Sequence, residues 1–359
     1  MDKKAFLGVM DNKEAEGVPS LFWFHFSSQA TFAASPGNPE HFRKTVSGHE
    51  KYAKEVPYGA VKAMTEGYFM PSSLSGLKDY SSASLKSVKR MDPHDPWIEE
   101  QVDLCKRISA IAGRESAMFY TLFSPLFYLM FRSVCGTLKN KFLNPVVDRL
   151  GRIEAINEKV LKGVRLGKFK KLGESGIIGT DPEAFSIAHD ALIQDLKALS
   201  KRLLTEGGAD GIFLSVQESP GISAEQYKKL IAPGEKELLN LASSISNYNI
   251  LHVCGQNFNS SLSLYSGYNA KAFNWPAFEC GPSLREGKAL LGGKAVIGGF
   301  AEGKDGVLFK GTREEIESFI EKLVSDTGRK GLIIGADCSV PDNISWDRLK
   351  WARDKAAAL

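Results

Sequence analysis

The carboxyl-terminal half of the chain alternates short apolar runs with longer stretches in which apolar residues recur at helical spacing. The apolar runs are GIFLSV (211–216), NILHV (249–253), AFNW (272–275), KAVIGG (294–299) and GLIIG (331–335). Each run is apolar nearly throughout, which is typical of a strand buried on both faces of a parallel sheet. The alternation therefore predicts a succession of β/α units.

The amino-terminal half supplies three further strand candidates, at 20–26, 67–70 and 117–123. Counted with the five later runs, they give eight strands with helices between them. This number favours an α/β fold of the closed (β/α)8 barrel (TIM barrel) type over an open doubly wound sheet. We expect one barrel domain spanning residues 1–359, with an amino-terminal extension before the first strand.

Two helices in this half are well marked by pattern. One is predicted from about Pro96 to Ala112, and the other begins at the start signal Asp181-Pro182 and stops at Gly207-Gly208. The stretch between the third and fourth strands is too long for a single crossover connection. It predicts a helical insertion at about 124–180.

Composition and charge exclude several classes of function. The chain has 359 residues, of which 43% are hydrophobic and 25% charged, and its net charge of +4 includes no long basic block. We therefore expect no nucleic-acid partner. The first residues, MDKKAFLGVMDNKEAEG, lack the apolar core of a signal peptide, and no window approaches the roughly 18 apolar residues of a membrane span. These features predict a cytoplasmic protein without a membrane partner.

Cysteine usage favours free thiols or metal ligands over disulfides. The five cysteines are scattered through the chain, at Cys105, Cys135, Cys254, Cys280 and Cys338. Their number is odd, and a chain of this size has no need of disulfide staples. Of the six histidines, only His252 lies within two residues of a cysteine. The pair His252 and Cys254 is therefore the local motif to weigh as a metal site.

Strand geometry places this pair at one point of the predicted barrel. Side chains alternate faces along a strand, so His252 and Cys254 point the same way. Both lie at the carboxyl end of a strand, where barrels carry their active sites, and Cys338 follows the last strand in GLIIGADCSVP. One imidazole and two thiolates with an open fourth position form a catalytic zinc arrangement. The alternative is that all three are ordinary buried groups, because free cysteine is among the most buried residue types.

A carboxylate is the expected occupant of the fourth position. Glu218 in SVQESP follows the fourth strand and is the first candidate, with Glu279 and Asp337 in reserve. Glu218 would otherwise cap a helix or lie in solvent. Cys280 precedes a helix start in ECGPSLREG and is expected to pack there. Asn274 ends the sixth strand and is a candidate for lining the pocket.

From about Gly207 onward, the chain resembles the uroporphyrinogen decarboxylase superfamily, and within it the zinc-dependent corrinoid methyltransferases of the methylcobamide:coenzyme M type. The resemblance is carried by GADGIFLS (208–215), ILHVCG (250–255), KAVIGGFAEG (294–303), GTREEIESFIEKL (311–323) and GLIIGADCSVPDNISWDRLKWA (331–352). These blocks keep their order and spacing over roughly 150 residues. The specific part is H-x-C-G followed about 80 residues later by a second cysteine.

The resemblance implies a (β/α)8 barrel with His252, Cys254 and Cys338 as zinc ligands. In such enzymes zinc binds the thiol of an acceptor such as coenzyme M, and the thiolate attacks a methyl group carried on a corrinoid cobalt. A free thiol with a pKa of about 8.5 is mostly protonated at neutral pH, and coordination to a metal removes the proton. The implied cofactors are Zn²⁺ and a methylcorrinoid supplied by a corrinoid-binding partner protein, and the implied acceptor is a small thiol or a pterin.

Two other functions stay open on the sequence. A uroporphyrinogen decarboxylase needs several cations in its cleft to hold the carboxylates of a tetrapyrrole. The segment VPSLFWFHFSSQATFAASPGNPEHFRKT (18–45) has only Arg43 and Lys44, both late, which disfavours decarboxylation. The other possibility is a non-catalytic corrinoid-binding or regulatory relative that retains the barrel.

Overall fold

A parallel sheet of seven strands forms the centre of the fold. The computed structural model describes residues 2–27, 33–56, 59–132, 172, 176–217, 221–255, 262–279 and 281–359. Its strands are β1 (Ala60–Ala63), β2 (Ala117–Phe123), β3 (Gly211–Gln217), β4 (Ile250–Cys254), β5 (Ala272–Asn274), β6 (Ala295–Phe300) and β7 (Leu332–Ala336). They pair in chain order, and every pair is parallel. The curled parallel sheet agrees with the predicted barrel class.

The predicted first strand, 20–26, is reduced to a single parallel bridge between Ser20 and Ile334 of β7. Around it, the Leu21 amide donates to the Ile334 carbonyl at 2.8 Å, and the Ile334 amide donates to the Pro19 carbonyl at 2.8 Å. The Trp23 carbonyl then accepts from Val340, which lies beyond the end of β7. The segment therefore leaves the ladder after one bridge, and the sheet has seven strands in the described residues where eight were expected.

The second predicted strand, 67–70, was wrong. The strand lies earlier, at β1, and the aromatic run GYFM forms a turn in which the Tyr68 amide donates to the Thr65 carbonyl at 3.3 Å. Gly67 has a positive φ of 101°, which a strand residue does not adopt. The sequence of β1, AVKA, was overlooked because it is four residues long and contains a lysine.

Helices cover the outer face of the sheet. Those of five or more residues for which both ends are described are Lys3–Met10, Pro39–Glu55, Ser82–Lys86, Pro96–Ala112, Pro182–Thr205, Ala232–Ile245, Leu284–Leu290, Arg313–Thr327 and Trp346–Ala357. Shorter α-helical pieces are Ile177–Thr180, Ala224–Gln226 and Val307–Lys310, with 3₁₀ turns at Ser72–Leu74 and Leu262–Tyr265 and a π-helical turn at Tyr227–Ile231. Both helices predicted in the amino-terminal half are confirmed. Within the described ranges, no helix is long and apolar enough to cross a membrane.

The insertion expected at 124–180 falls mostly outside the described residues, which omit 133–171 and 173–175. Its two described ends are helical, at 125–132 and Ile177–Thr180.

Alternating side chains from the strands fill the interior of the curled sheet. The interior group comprises Leu21, Trp23, Ala60, Met64, Ala117, Phe119, Phe213, Ile250, Ala272, Ala295, Ile297 and Ile333. The helix Lys3–Met10 belongs to the same group, since Phe6 is fully buried and its ring lies 5.9 Å from that of Phe119. Residues of the opposite parity pack outward against the helices. The carboxyl ends of the strands are thus left to carry polar side chains.

Candidate metal centre

The carboxyl end of β4 carries the histidine and cysteine of the H-x-C-G motif. Ser215 of β3 pairs with His252, and His252 in turn pairs with Asn274 of β5, so three polar side chains cross the sheet in one row. Because strand side chains alternate, Cys254 lies on the same face as His252, one step nearer the rim. Cys338 follows two residues after the end of β7.

The structure brings these three residues together. The possible ligand atoms of His252, Cys254 and Cys338 all lie within 4.8 Å of one another, and in the described residues no other three histidine, cysteine or acidic side chains meet in this way. Cys338 Sγ is 3.5 Å from His252 Nε2. The imidazole is buried at 3% exposure, whereas both thiols are only partly buried.

Asn274 fixes the orientation of the imidazole. Its amide nitrogen donates to the carbonyls of Ile297, at 2.9 Å, and Ala336, at 3.0 Å. The amide oxygen therefore faces His252 Nδ1, to which it is hydrogen bonded. An oxygen can only accept, so Nδ1 carries the proton and the lone pair of Nε2 points at Cys338. Such a second-layer contact is how metal-binding histidines are usually held.

The two thiols are poorly solvated and close to each other. The hydrogen bond between the Cys338 thiol and Cys254, together with burial and the charge on Cys254, raises the pKa of Cys338 well above its ordinary value, while His252 acts in the opposite direction. Two thiolates this close to each other would repel each other. A divalent cation would remove this repulsion. The donor set, one imidazole lone pair and two sulfurs, fits zinc.

Neither of the two predicted carboxylates that the structure describes, Glu279 and Asp337, belongs to the cluster. Glu218 lies outside the described residues. Glu279 is exposed on the surface. Asp337 is fully buried, but its carboxylate accepts hydrogen bonds from the amides of Phe278, at 2.9 Å, and Glu279, at 3.0 Å. Burial raises the pKa of Asp337 to about 7. This side chain anchors the loop after β5. Cys280 also lies outside the described residues.

Lys62 is a charged residue of the interior that the sequence did not reveal. It lies on β1 and is only 6% exposed. Its ammonium stands 5.4 Å from the ring centre of Trp23 and 4.8 Å from that of Phe213. Both rings also pack against the imidazole of His252, at 6.2 and 5.6 Å. Burial lowers the pKa of Lys62 to about 8, although Cys338, Glu66 and Cys254 act to raise it. The sequence signal that could have identified Lys62 is a single lysine within the otherwise apolar run AVKA.

Glu66 is the other buried charge near β1. It is 1% exposed, and one of its oxygens accepts from the His25 ring at 3.0 Å and from the Phe26 amide at 3.1 Å. Burial opposes ionisation, but the hydrogen bond and charge of His25 outweigh it, so the pKa of Glu66 is lowered. This carboxylate therefore ties the segment after the Ser20 bridge to the loop after β1.

Comparison with known proteins finds similar structures but no similar sequences. Neither a protein-family model nor a curated protein matches the chain. A methyltransferase from Methanosarcina mazei has a similar structure, with a TM-score of 0.65 and 14% identity over 99% of this chain and 97% of that one. A B12-independent methionine synthase from Shewanella sp. W3-18-1, in complex with selenomethionine, gives a TM-score of 0.51 and 11% identity over 95% and 96% of the two chains. At these identities the likeness shows the fold, which is that of a TIM-barrel-like protein.

Proposed function

We propose that this protein is a zinc-dependent methyltransferase that moves a methyl group between a corrinoid, carried by a partner protein, and a small thiol acceptor. The observation that carries the proposal is the convergence of His252 Nε2 and two cysteine sulfurs at the carboxyl rim of the strands. Active sites of parallel barrels lie at this rim.

Each residue has a distinct part in this proposal. His252, Cys254 and Cys338 would hold the cation, and Asn274 keeps the imidazole in the tautomer that can do so. When bound, zinc would favour the deprotonated, nucleophilic form of the acceptor thiol. Three protein ligands leave a fourth position for that thiol. Glu218 remains the proposed carboxylate that the thiol would displace.

The reaction class rests on the two similar structures. One is described as a methyltransferase and the other as a methionine synthase, and both names denote transfer of a methyl group. The second is described as B12-independent. This description favours a second candidate function, in which a methylated pterin takes the place of the methylcorrinoid.

Metal analysis and thiol titration test the proposal together. We expect about one zinc per chain after reduction of the protein, and release of about one proton when a thiol binds at neutral pH. Calorimetry in two buffers of different ionisation enthalpy measures the proton. Cys254→Ser and Cys338→Ser should lose zinc. Cys105→Ser is the matched control, because Cys105 is fully buried with its sulfur 3.9 Å from the Leu203 carbonyl.

Protein that binds no stoichiometric zinc, or that keeps its zinc in both variants, would overturn the proposal. Methyl donors distinguish the two candidates. Methylcobalamin as a working donor supports the corrinoid reaction, whereas activity only with a methylated tetrahydropterin supports the second candidate. Decarboxylation of uroporphyrinogen by zinc-free protein would instead establish the decarboxylase, and zinc binding without turnover of any donor would indicate a non-catalytic relative.

A further inference from the structure

Lys62 points into the barrel between aromatic rings. On β1 the side chains of Ala60, Lys62 and Met64 alternate with Val61 and Ala63, and the first and third belong to the interior group. The lysine is therefore held in a largely apolar space. A lysine in such a position loses hydration and would ordinarily be replaced or neutralised, unless its charge is used.

The ammonium has weak partners. In the part of the chain that the structure describes, Lys62 forms no ion pair, and its ammonium donates a hydrogen bond to the thioether sulfur of Met64 at 3.3 Å. Thioether sulfur is a weak acceptor. The faces of Trp23 and Phe213 provide cation–π attraction, with ring centres 5.4 and 4.8 Å from the ammonium. Most of the hydrogen-bonding capacity of the ammonium is therefore unused.

The charges around Lys62 converge on the metal centre. The rings of Trp23 and Phe213 pack against both the Lys62 ammonium and the imidazole of His252, so the ammonium lies beside the centre. The negative groups that favour its charged form are Cys338, Glu66 and Cys254. Glu66 is already engaged by His25 and the Phe26 amide. His49 also faces Lys62, but burial lowers the pKa of this imidazole to about 4, so it brings no second cation. The two cysteines are the sulfur donors of the proposed centre.

We propose that Lys62 is a positioning residue whose ammonium neutralises the negative charge that an acceptor thiol brings to the His252–Cys254–Cys338 centre. This inference rests on the proposed function. Once Glu218 has been displaced, a divalent cation with two thiolates and a neutral imidazole has no net charge, so the deprotonated sulfur of the acceptor makes the group anionic. A fixed cation in a poorly solvated interior then favours the anion far more strongly than one in water would.

Lys62 is charged before the thiol arrives, so no proton has to move to it. The proton of the thiol goes to solvent, and the ammonium lowers the pH at which this happens. Lys62 is expected to act on any thiol, since the charge that it balances lies on the sulfur. A lysine that recognises the tail of the acceptor would instead act only on acceptors with an anionic tail.

The experiment compares two thiols in the cobalt-substituted protein, in which sulfur-to-cobalt charge-transfer absorption reports binding. The probes are 2-mercaptoethanol, which has no charged tail, and 3-mercaptopropionate. In Lys62→Met, which preserves the volume between the two rings, we expect both thiols to bind about tenfold more weakly at pH 7. The pH of half-maximal binding should rise by about one unit, the equivalent of that tenfold change.

Two further variants complete the test. Lys62→Arg retains the charge and should recover most of the affinity. Lys236→Met is the matched control, because Lys236 also stands over an aromatic ring, 5.3 Å from that of Tyr268, but outside the interior group. It should leave both affinities and the pH profile unchanged.

Three outcomes would overturn the proposal: no change in Lys62→Met, weaker binding of 3-mercaptopropionate alone, or loss of the metal from Lys62→Met. The first outcome means that the charge of Lys62 does not stabilise the bound thiolate. The second means that Lys62 recognises the charged tail of the acceptor, and the third that Lys62 is needed for metal binding. These outcomes can be interpreted only if the wild-type protein binds both the metal and the thiols. Failure of the wild type in that respect would instead contradict the proposed function.

Discussion

Two buried polar clusters in this molecule are built on opposite principles. The metal centre joins three lone-pair donors, His252 Nε2 and two sulfurs, at the ends of strands. A second cluster lies among the helices, where one carboxylate oxygen of Glu235 accepts from the hydroxyls of Tyr227 and Tyr268, the latter at 2.7 Å. Glu235 is completely buried, as His252 nearly is.

The difference lies in the ratio of donors to acceptors. In the helical cluster the hydroxyls supply protons to the carboxylate, and they also lie 3.2 Å from each other. Burial raises the pKa of Glu235, so this cluster can remain uncharged. At the strand ends, the ring N–H of His252 donates to Asn274. The groups that remain are the Nε2 lone pair of His252 and two sulfurs, and the thiol protons are the only donors among them. A buried carboxyl that can be protonated and that accepts from two hydroxyls needs no cation, whereas a cluster of converging lone pairs is suited to one.

The largest effect is expected from the cluster that we assign to the metal. Cys338→Ser should weaken zinc binding by more than about 100-fold, because loss of a ligand should exceed the 10–100-fold typical of second-layer changes. Competition with a chromophoric chelator measures the affinity. If the zinc affinity were unchanged, Cys338 would not be a ligand. The cluster at the strand ends would then be an ordinary buried polar cluster, like the one around Glu235.

A second-layer change should have the next largest effect. Asn274→Leu removes the acceptor of His252 Nδ1 and should weaken zinc binding by about 10–100-fold. It also leaves the Ile297 and Ala336 carbonyls without a donor, so unfolding should become easier by roughly 1–3 kcal/mol. Chelator competition and denaturant unfolding measure the two effects separately.

Asn249 offers the matched control for Asn274. It is equally buried, but it lies before β4, at the opposite end of the barrel, where its oxygen accepts from the Ile212 amide at 2.8 Å. Asn249→Leu should destabilise the fold to a similar extent and leave zinc affinity intact. If both variants lost zinc equally, general loosening of the barrel would explain the result.

The helical cluster should respond in stability alone. Glu235→Leu leaves one tyrosine hydroxyl without an acceptor, and we expect a loss of about 1–3 kcal/mol in the free energy of unfolding, with normal zinc content. Glu237→Leu, two residues along the same helix, removes a half-exposed carboxylate paired with Lys197 and should cost less than about 1 kcal/mol. A loss of zinc in Glu235→Leu would connect the two clusters.

The smallest effect concerns the pH dependence of stability. A carboxyl whose pKa is raised in the folded state stabilises the fold below its ordinary pKa, near 4.5 for Glu235, and loses that contribution as the pH rises through the raised value. Compared with Glu235→Gln, the wild type should therefore lose stability as the pH rises from about 4.5 to the raised pKa, and the difference between the two proteins should level off above it. Chemical unfolding at a series of pH values measures the free energy of unfolding of both proteins. If the two plots of this free energy against pH were parallel, the pKa of Glu235 would be the same in the folded and unfolded states.

The proximity of His252, Cys254 and Cys338 was predictable because it depends on two simple periodicities. Alternation along a strand puts His252 and Cys254 on one face, and the parallel β/α order brings the end of the last strand, with Cys338, to the same rim. The sequence could suggest Asn274 as a lining residue. It could not indicate that the amide bonds to carbonyls of two other strands, because that depends on the register between strands.

The weaker predictions share a physical cause. A short strand such as β1 has little periodicity, and the aromatic run at 67–70 has higher β propensity although its glycine turns the chain. Lys62 was missed with β1, since a lysine usually marks an exposed position. The reduction of the predicted strand 20–26 to one bridge depends on contacts with residues more than 300 positions away, which local pattern does not report.

Asn274 has a consequence for the dynamics of the sheet. Its single side chain is bonded to groups on β4, β6 and β7 as well as belonging to β5. Separation of any one of these strands from the sheet would disturb the imidazole. An ion that requires the oriented ring therefore binds only when all four strands are paired. Such binding stabilises the paired state by mass action. Bound zinc should therefore slow amide hydrogen exchange across four adjacent strands, and the exchange rates would report site occupancy far from the sulfurs.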